Sequence, residues 1–273
     1  MKIISYRLNN ATSYGVLVNN ELYSLPENQS GLPATMNAFL ALEESGMEMA
    51  RQTAQQIEAG TLFAKPVFNY DILAPVPHPT SCRDGYAFRQ HVEAARKNRG
   101  VEMIPEFDQY PIFYFTNHQA VEGPGPVYCM PDHFEQLDFE LEIAIVIGKK
   151  GRNIKASEAD AYIAGFTIMN DMSARKLQME EMLLNLGPAK GKDFSTVIGP
   201  WLVTPDELVH KVAPTKAGHV GLNYNLEMKC YVNDILVSSG NVKDMDWTFA
   251  EIIERCSYGV TLYPGDVIGS GTV

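Results

Sequence analysis

Between Leu137 and Gly148 the chain reads LDFELEIAIVIG, an apolar stretch with acids at alternate positions. Side chains of a strand alternate between its faces. Phe139, Leu141, Ile143 and Ile145 are therefore predicted on one face. Asp138, Glu140 and Glu142, followed by Ala144 and Val146, are predicted on the other. Carboxylates two apart on a strand lie about 6–7 Å apart along it, and repel by about 3 kcal/mol at an effective dielectric near 20. In a cleft such a pair needs a raised pKa or a cation. On a wetted strand it is only an acidic face, and this stretch alone leaves both readings open.

The same patterning predicts the other elements. Residues 1–28 read as short strands joined by polar turns, with a hairpin at Asn19-Asn20. Residues 35–60, rich in Ala, Met, Glu and Gln, read as helix, broken in two at Gly46. APVPHP (residues 74–79) reads as a stiff extended linker, so a small domain is expected over residues 1–72 and the main domain over 73–273. A helix is predicted from near Asp84 to Gly100, with Asp84 and His91 seven apart and so on one face. AYIAGFTIMND reads as a second core strand, ending at Asp171 where a helix opens through MSARKLQ. Leu222, Tyr224, Leu226, Met228 and Cys230 alternate onto one face, and Asn233-Asp234 is a hairpin turn. Thr204-Pro-Asp-Glu207 reads as a capping box, and Asp246 as the cap of a helix through FAEIIERC. The mixture predicts a β-rich α+β fold.

A length of 273 residues suffices for one large domain or two small ones. The net charge of −11 argues against a nucleic-acid surface and suits a protein that holds a cation. No apolar run reaches the length of a membrane span, and MKIISYRLNN reads as a first strand rather than a signal peptide. Cys82, Cys129, Cys230 and Cys256 form no CxxC pair and read as free thiols of a reducing cytoplasm.

Asp171 at a strand-to-helix junction is either a helix N-cap or a ligand. Together with Glu140 and Glu142 it makes an oxygen-only set suited to Mg²⁺, Ca²⁺ or Mn²⁺. Arg175 and Gln178 share a helix face and are donors for a developing oxyanion; Lys192, in GPAKGKDF, is a candidate to bind a carboxylate or polarise a carbonyl. His91 is the candidate general base. His78, His118, His133, His210 and His219 show no metal-like spacing.

In order along residues 70–273, LDFELEIAIVIG, the NDMSAR turn, GPAKGKDFSTVIGPWLV and YPGDVIGSGTV resemble the fumarylacetoacetate hydrolase superfamily. RDGYAFRQHV is similar to the segment of fumarylacetoacetase that carries an Asp ligand and the catalytic His. The resemblance implies a C-terminal mixed β-sheet roll or sandwich. It implies a divalent cation, Mg²⁺ or Ca²⁺ with Mn²⁺ as a further option, held by Asp84, Glu140, Glu142 and Asp171, with Thr196 at a second cation-associated position. It makes His91 the base, and Arg175, Gln178 and Lys192 the oxyanion donors. Tyr86, Arg99, Tyr114, Gln178 and Thr272 become substrate contacts, and Asp138 is left outside the ligand set. The implied activity is hydrolysis of a carbon–carbon bond in a β-diketo acid, fumarylacetoacetate yielding fumarate and acetoacetate in tyrosine breakdown, by a cytoplasmic homodimer. The alternatives are acylpyruvate hydrolysis, decarboxylation, isomerisation, sugar-acid dehydration, or an inactive metabolite-binding relative. Three positions depart from the pattern: Met182 stands for a substrate-contacting Tyr, a Lys near Thr116-Asn117 is missing, and Ala94 stands where a Glu partners the His, with Glu93 one residue early. In the family more chain follows the GSGTV turn and brings a Glu to the His, so a continuation past Val273 is expected to supply that partner.

Overall fold

Alternation along the chain builds one mixed sheet of 11 strands. The computed structural model describes residues 1–98 and 100–273. In chain order the principal strands are β1 (Lys2–Leu8), β2 (Ala11–Val18), β3 (Glu21–Ser24), β4 (Cys82–Gly85), β5 (Phe113–Thr116), β6 (Leu141–Ile147), β7 (Ile163–Asp171), β8 (Thr196–Val203) and β9 (Val267–Gly269). They lie in the order β3-β2-β1-β8-β7-β6-β9-β4-β5, with Asp71–Ile72 and Val121–Glu122 paired to β1 and β8. Pairing is antiparallel except β9 with β4 and Val121–Glu122 with β8. The main helices are α1 (Met36–Leu40), α2 (Glu43–Glu58), α3 (Arg89–Asn98), α4 (Arg175–Met182) and α5 (Phe249–Ser257). The fold is α+β and sheet-dominated, as the pattern predicted. Among the described residues no helix is long and apolar enough to cross a membrane.

The two-residue period sorts the core into two layers. Ala144, Val146, Met169 and Val267 pack under α1 and α2 with Phe39, Leu40, Met47 and Ala50. Ile143, Ile145, Ile147, Phe166 and Ile268 pack on the other face against Ile252 and Ile253 of α5. β1 joins β8 through Lys2↔Val203 and Ile3↔Leu202, so residues before 72 share the sheet with the rest of the chain. Asn19-Asn20 and Asn233-Asp234 both have positive φ at both residues, the backbone that two-residue hairpins require.

Several local expectations are corrected. The strand at 137–148 is interrupted: Leu137–Asp138 pairs with Ser173–Ala174, the ladder lapses at Phe139 and Glu140, and β6 begins at Leu141. Asp84 lies on β4 rather than on the His91 helix, which begins only at Arg89. Asp246 caps that helix instead of α5, accepting from the Arg89 N–H at 2.8 Å. The α5 cap is Thr248, in a reciprocal box with Glu251. Thr204 opens a 3-10 turn without capping it, because its hydroxyl is taken by Met1. In the 222–230 stretch Tyr224 and Met228 are buried, whereas Leu222 is exposed, because the strand is interrupted at 225–226.

Gly46 does not break the helix. The break falls at residues 41–42 and at Glu43 with φ 52°, and Gly46 lies buried inside α2. A Cβ there would sit 2.9 Å from Leu42 Cβ and 2.9 Å from the Phe39 carbonyl oxygen. Gly to Ala in a helix interior ordinarily stabilises by about 1 kcal/mol. Here overpacking, typically costing about 1–3 kcal/mol, opposes it. Gly46→Ala is expected to lower the urea midpoint at unchanged slope; a raised midpoint would show that α2 shifts freely.

Candidate active site

The start of β6 and the ends of β4, β7 and β9 emerge at one rim of the sheet, on the face that α1 and α2 cover further along. Register places Gly269 beside both Asp84 and Ala144, and Met169 beside Glu142. Asp84, Glu140, Glu142 and Asp171 are all buried, Glu142 and Asp171 with no exposed surface at all. One carboxylate oxygen from each of Asp84, Glu140 and Glu142 lies within 4.8 Å of the others. Only a glycine fits between two of them, since a Cβ on Gly269 would lie 2.7 Å from both Asp84 Oδ1 and Glu142 Oε2. The Gly271 N–H donates to the same two oxygens, at 3.1 and 3.0 Å, from a backbone with φ 78°. A Cβ at Gly271 would meet the Gly85 carbonyl at 2.7 Å, so this turn demands glycine twice over.

Compensation of these charges is uneven. Lys192 donates to Glu140 Oε2 at 2.5 Å and Asp171 Oδ2 at 2.9 Å, and Tyr114 donates to Asp171 Oδ2 as well. Arg175 reaches Asp138 Oδ2 through Nε at 2.7 Å, Glu140 Oε1 through Nη2 at 2.8 Å and Gln178 Oε1 through Nη1 at 2.9 Å. With its oxygen taken, Gln178 has its amide N–H groups left to donate. Glu142 Oε1 and Asp171 Oδ1 have no hydrogen-bond partner among the described residues. Orphaned buried carboxylate oxygens are rare and costly. Hard oxygen donors converging in this way fit a divalent cation at Asp84, Glu140 and Glu142; Asp171, expected as a fourth holder, lies outside that converging group, bonded to Lys192 and Tyr114.

Burial, then the Asp171 charge, raises the Asp84 carboxyl to about 7. Burial, then Asp84, pushes Glu142 well above the carboxylate range. Asp171 is also raised, burial prevailing over the pull of Lys192. Burial acts on Glu140 too, but Lys192 and Arg175 outweigh it and hold that carboxyl low. Burial lowers the His91 imidazole, favouring its neutral form.

The site opens on a cavity of about 620 Å³. Tyr86, His91, Tyr114, Arg175, Gln178, Lys192 and Thr272 line it with Asp84 and Glu140, so the structure brings these expected residues together. Met182 and Ala94 line it too. The His91 ring stands edge-on to Tyr86, centroids 5.8 Å apart. No carboxylate among the described residues hydrogen-bonds His91; Glu93 is exposed and pairs with Arg89 at 3.5 Å. Thr196 is buried opposite Asp171 on β8, 3.5 Å from the Thr116 hydroxyl, and does not line the cavity. Arg99 lies outside the described residues.

Asp138, expected outside the ligand set, lines the cavity and anchors Arg175. Sequence reasoning missed two parts of the site. Gly271 contributes a backbone N–H, which no side-chain pattern announces. Glu181 accepts from the N–H groups of Ala189, Lys190 and Gly191, fastening the loop that carries Lys192 to α4. Gly191 permits that contact, since a Cβ would lie 2.5 Å from the Gln178 nitrogen.

Fold and rim together define a buried carboxylate cluster that fits a divalent cation, at the edge of a sheet-dominated α+β fold. The family described as Fumarylacetoacetate (FAA) hydrolase C-terminal matches residues 80–273, and the chain belongs to this family. It is 35% identical over 249 residues to oxaloacetate tautomerase FAHD2A, mitochondrial, of Homo sapiens, covering 88% of this chain and 69% of that protein. Its identity to oxaloacetate tautomerase fahd2, mitochondrial, of Xenopus laevis is 31%, covering 88% and 68%. The fold matches maleylpyruvate hydrolase from Sphingobium sp. SYK-6 in complex with manganese(II) and pyruvate, with a TM-score of 0.71, 22% identity, and 100% of this chain and 88% of that one covered. It matches fumarylacetoacetate hydrolase from Exiguobacterium antarcticum with a TM-score of 0.70, 24% identity, and 100% and 86% covered.

The raised carboxyls give the cation a pH signature. A carboxyl at 3.8 when free and about 7 when folded binds more protons in the cation-free folded state. Its contribution to stability therefore falls as pH rises from about 4 to 7. A cation replaces those protons. The gain in melting temperature on adding Mg²⁺ or Mn²⁺ to chelator-treated protein is expected to be larger at pH 8 than at pH 5, and absent in Glu142→Ala. Scanning calorimetry that finds equal gains at both pH values would contradict the assignment.

Proposed function

We propose that the chain is a divalent-cation-dependent enzyme that interconverts the keto and enol forms of a small 2-oxo acid of the oxaloacetate type. What carries the choice is the likeness to oxaloacetate tautomerases; His91, which faces the cavity and whose imidazole burial lowers, is the base in this reading. Such a base can take a proton from the carbon next to a carbonyl and return it to the carbonyl oxygen. The C–H bond breaks, the C=O π pair gives way to a C=C bond, an O–H bond forms, and no water is consumed. Two relatives at 31–35% identity are named oxaloacetate tautomerases, which supports the reading.

A cation held by the carboxylate cluster would supply Lewis-acid polarisation of the 2-oxo group. The chain's own groups do the rest. Arg175, Lys192 and the Gln178 amide are the donors lining the cavity for the substrate carboxylate and for charge that develops on its oxygen. Ile112, Phe113, Met179 and Met182 form an apolar wall that limits water at the carbon acid.

A second reading, hydrolytic carbon–carbon cleavage of a β-diketo acid such as fumarylacetoacetate, is favoured by the cavity. About 620 Å³ is roomy for a four-carbon acid. Both readings use His91 as base, Mg²⁺ or Mn²⁺ as the cation and a small diketo or oxo acid as substrate.

Ultraviolet absorbance of oxaloacetate distinguishes them. The Mg²⁺-loaded protein is expected to accelerate keto–enol equilibration of oxaloacetate and to leave acylpyruvates and fumarylacetoacetate uncleaved. Cleavage of a diketo acid without tautomerase activity would reverse the choice. His91→Ala should fold, retain its cation-induced rise in melting temperature, and lose about 10²–10⁴-fold in turnover. Wild-type turnover in that variant would remove His91 from the chemistry.

A further inference from the structure

Lys192 holds one of the carboxylates that converge as a candidate cation site, Glu140, together with its neighbour Asp171. Its ammonium is buried and contacts one oxygen of Glu140 at 2.5 Å and one of Asp171 at 2.9 Å. Glu140 belongs to the converging set that fits a divalent cation, and Asp171 lies next to it with one oxygen unpartnered among the described residues. The second Asp171 oxygen and one Glu142 oxygen lack any partner among the described residues, so the ammonium compensates only part of the cluster. A divalent cation drawn to Glu140 and Asp171 therefore meets a positive charge already in contact with both.

The surroundings let the ammonium leave while its backbone stays. Ala189, Lys190 and Gly191 are fastened to Glu181, and the Gly191 carbonyl accepts from the Ala174 N–H at 2.8 Å. The side chain beyond that anchor is a flexible four-carbon stem. It lines the 620 Å³ cavity and also a neighbouring hollow of about 240 Å³ with Thr116, Asn117 and Ala189. There is room on both sides for a displaced ammonium.

From this we infer that Lys192 is the counter-ion of the cation-free cluster, that a divalent cation displaces it from Glu140 and Asp171, and that the displaced ammonium becomes the group that receives the substrate's carboxylate. Cation binding then prepares the substrate subsite, and the two bind in order, cation first. The inference rests on the reading of the carboxylate cluster as a divalent-cation site.

Titration calorimetry with Mn²⁺ alone tests it, on chelator-treated wild type, Lys192→Met and Lys192→Arg at one pH and ionic strength. Removing the competing charge is expected to tighten Mn²⁺ binding by about ten- to a hundredfold in Lys192→Met, the scale on which one adjacent charge shifts a neighbouring ionisation. Lys192→Arg keeps the charge and should not gain. Melting temperatures give a second readout. Without Mn²⁺, Lys192→Met should melt below wild type; with Mn²⁺ it should not, so its cation-induced gain is the larger. If the variant folds only with Mn²⁺, its affinity is read by chelator competition from the loaded protein. Mn²⁺ bound by wild type but no more tightly by Lys192→Met overturns the displacement alone. No Mn²⁺ bound by wild type overturns the cation site and the displacement with it.

Discussion

Burying several carboxylates side by side is the constraint on which this structure turns. Asp84, Glu140, Glu142 and Asp171 are buried at one sheet rim, and three of them converge to within 4.8 Å. Left alone they would move apart, because mutual repulsion and lost hydration both oppose such a cluster. They cannot move apart. β4, β6, β7 and β9 are locked in register, and packed layers hold the sheet on both faces. The sheet converts packing energy into electrostatic strain at its rim, strain that a bound cation would relieve.

Relief is distributed unequally, and the inequality assigns roles. Glu140 faces both Lys192 and Arg175 and is kept ionised. Asp84 and Glu142 share a single backbone N–H from Gly271 and are driven toward the protonated form. On the side of the rim that the chain leaves uncompensated, a dication would have to displace protons; on the Glu140 side it would meet ammonium and guanidinium groups. Glu140 is the hinge between this acidic side and the cationic groups on α4 and the following loop.

The chemistry was legible in the sequence where local geometry alone places it. Glu142 with Ala144 and Val146 follows from the two-residue period, and Asp171 at a strand end follows from a strand running into helix-forming residues. Asp84 was misplaced onto a helix because β4 is only four residues long, CRDG, and carries no alternation to announce it. N-cap preference alone points to Asp246 as well as to the Thr248-to-Glu251 box, and sequence does not show that the Asp caps α3, a helix far away in the chain. Gly46 looked like a breaker because close approach between helix and neighbour leaves the same residue type as a turn. Gly271 and the Asp138–Arg175 pair were invisible for a different reason: each depends on contacts between segments distant in sequence.

The acids and the walls answer to different constraints. Every acid except Asp138 sits on or next to a core strand, where register and burial on both faces fix the side chain, so replacing one would disturb the sheet as well as the charge. The cavity's outer wall comes from α3, α4 and the segment before β5, through Ala94, Ile112, Met179 and Met182, none of which carries a ladder hydrogen bond of the sheet or a rim charge. These side chains can change size and polarity without shifting the rim. A scaffold divided in this way can retain its carboxylate rim and donors while the shape of the cavity around a ligand is set by a few exchangeable residues. Met182 on α4 is such a residue: it projects into the cavity from the helix that carries Arg175 and Gln178, so its size sets the space left beside the donors while the donors stay where Asp138 and Glu140 hold them.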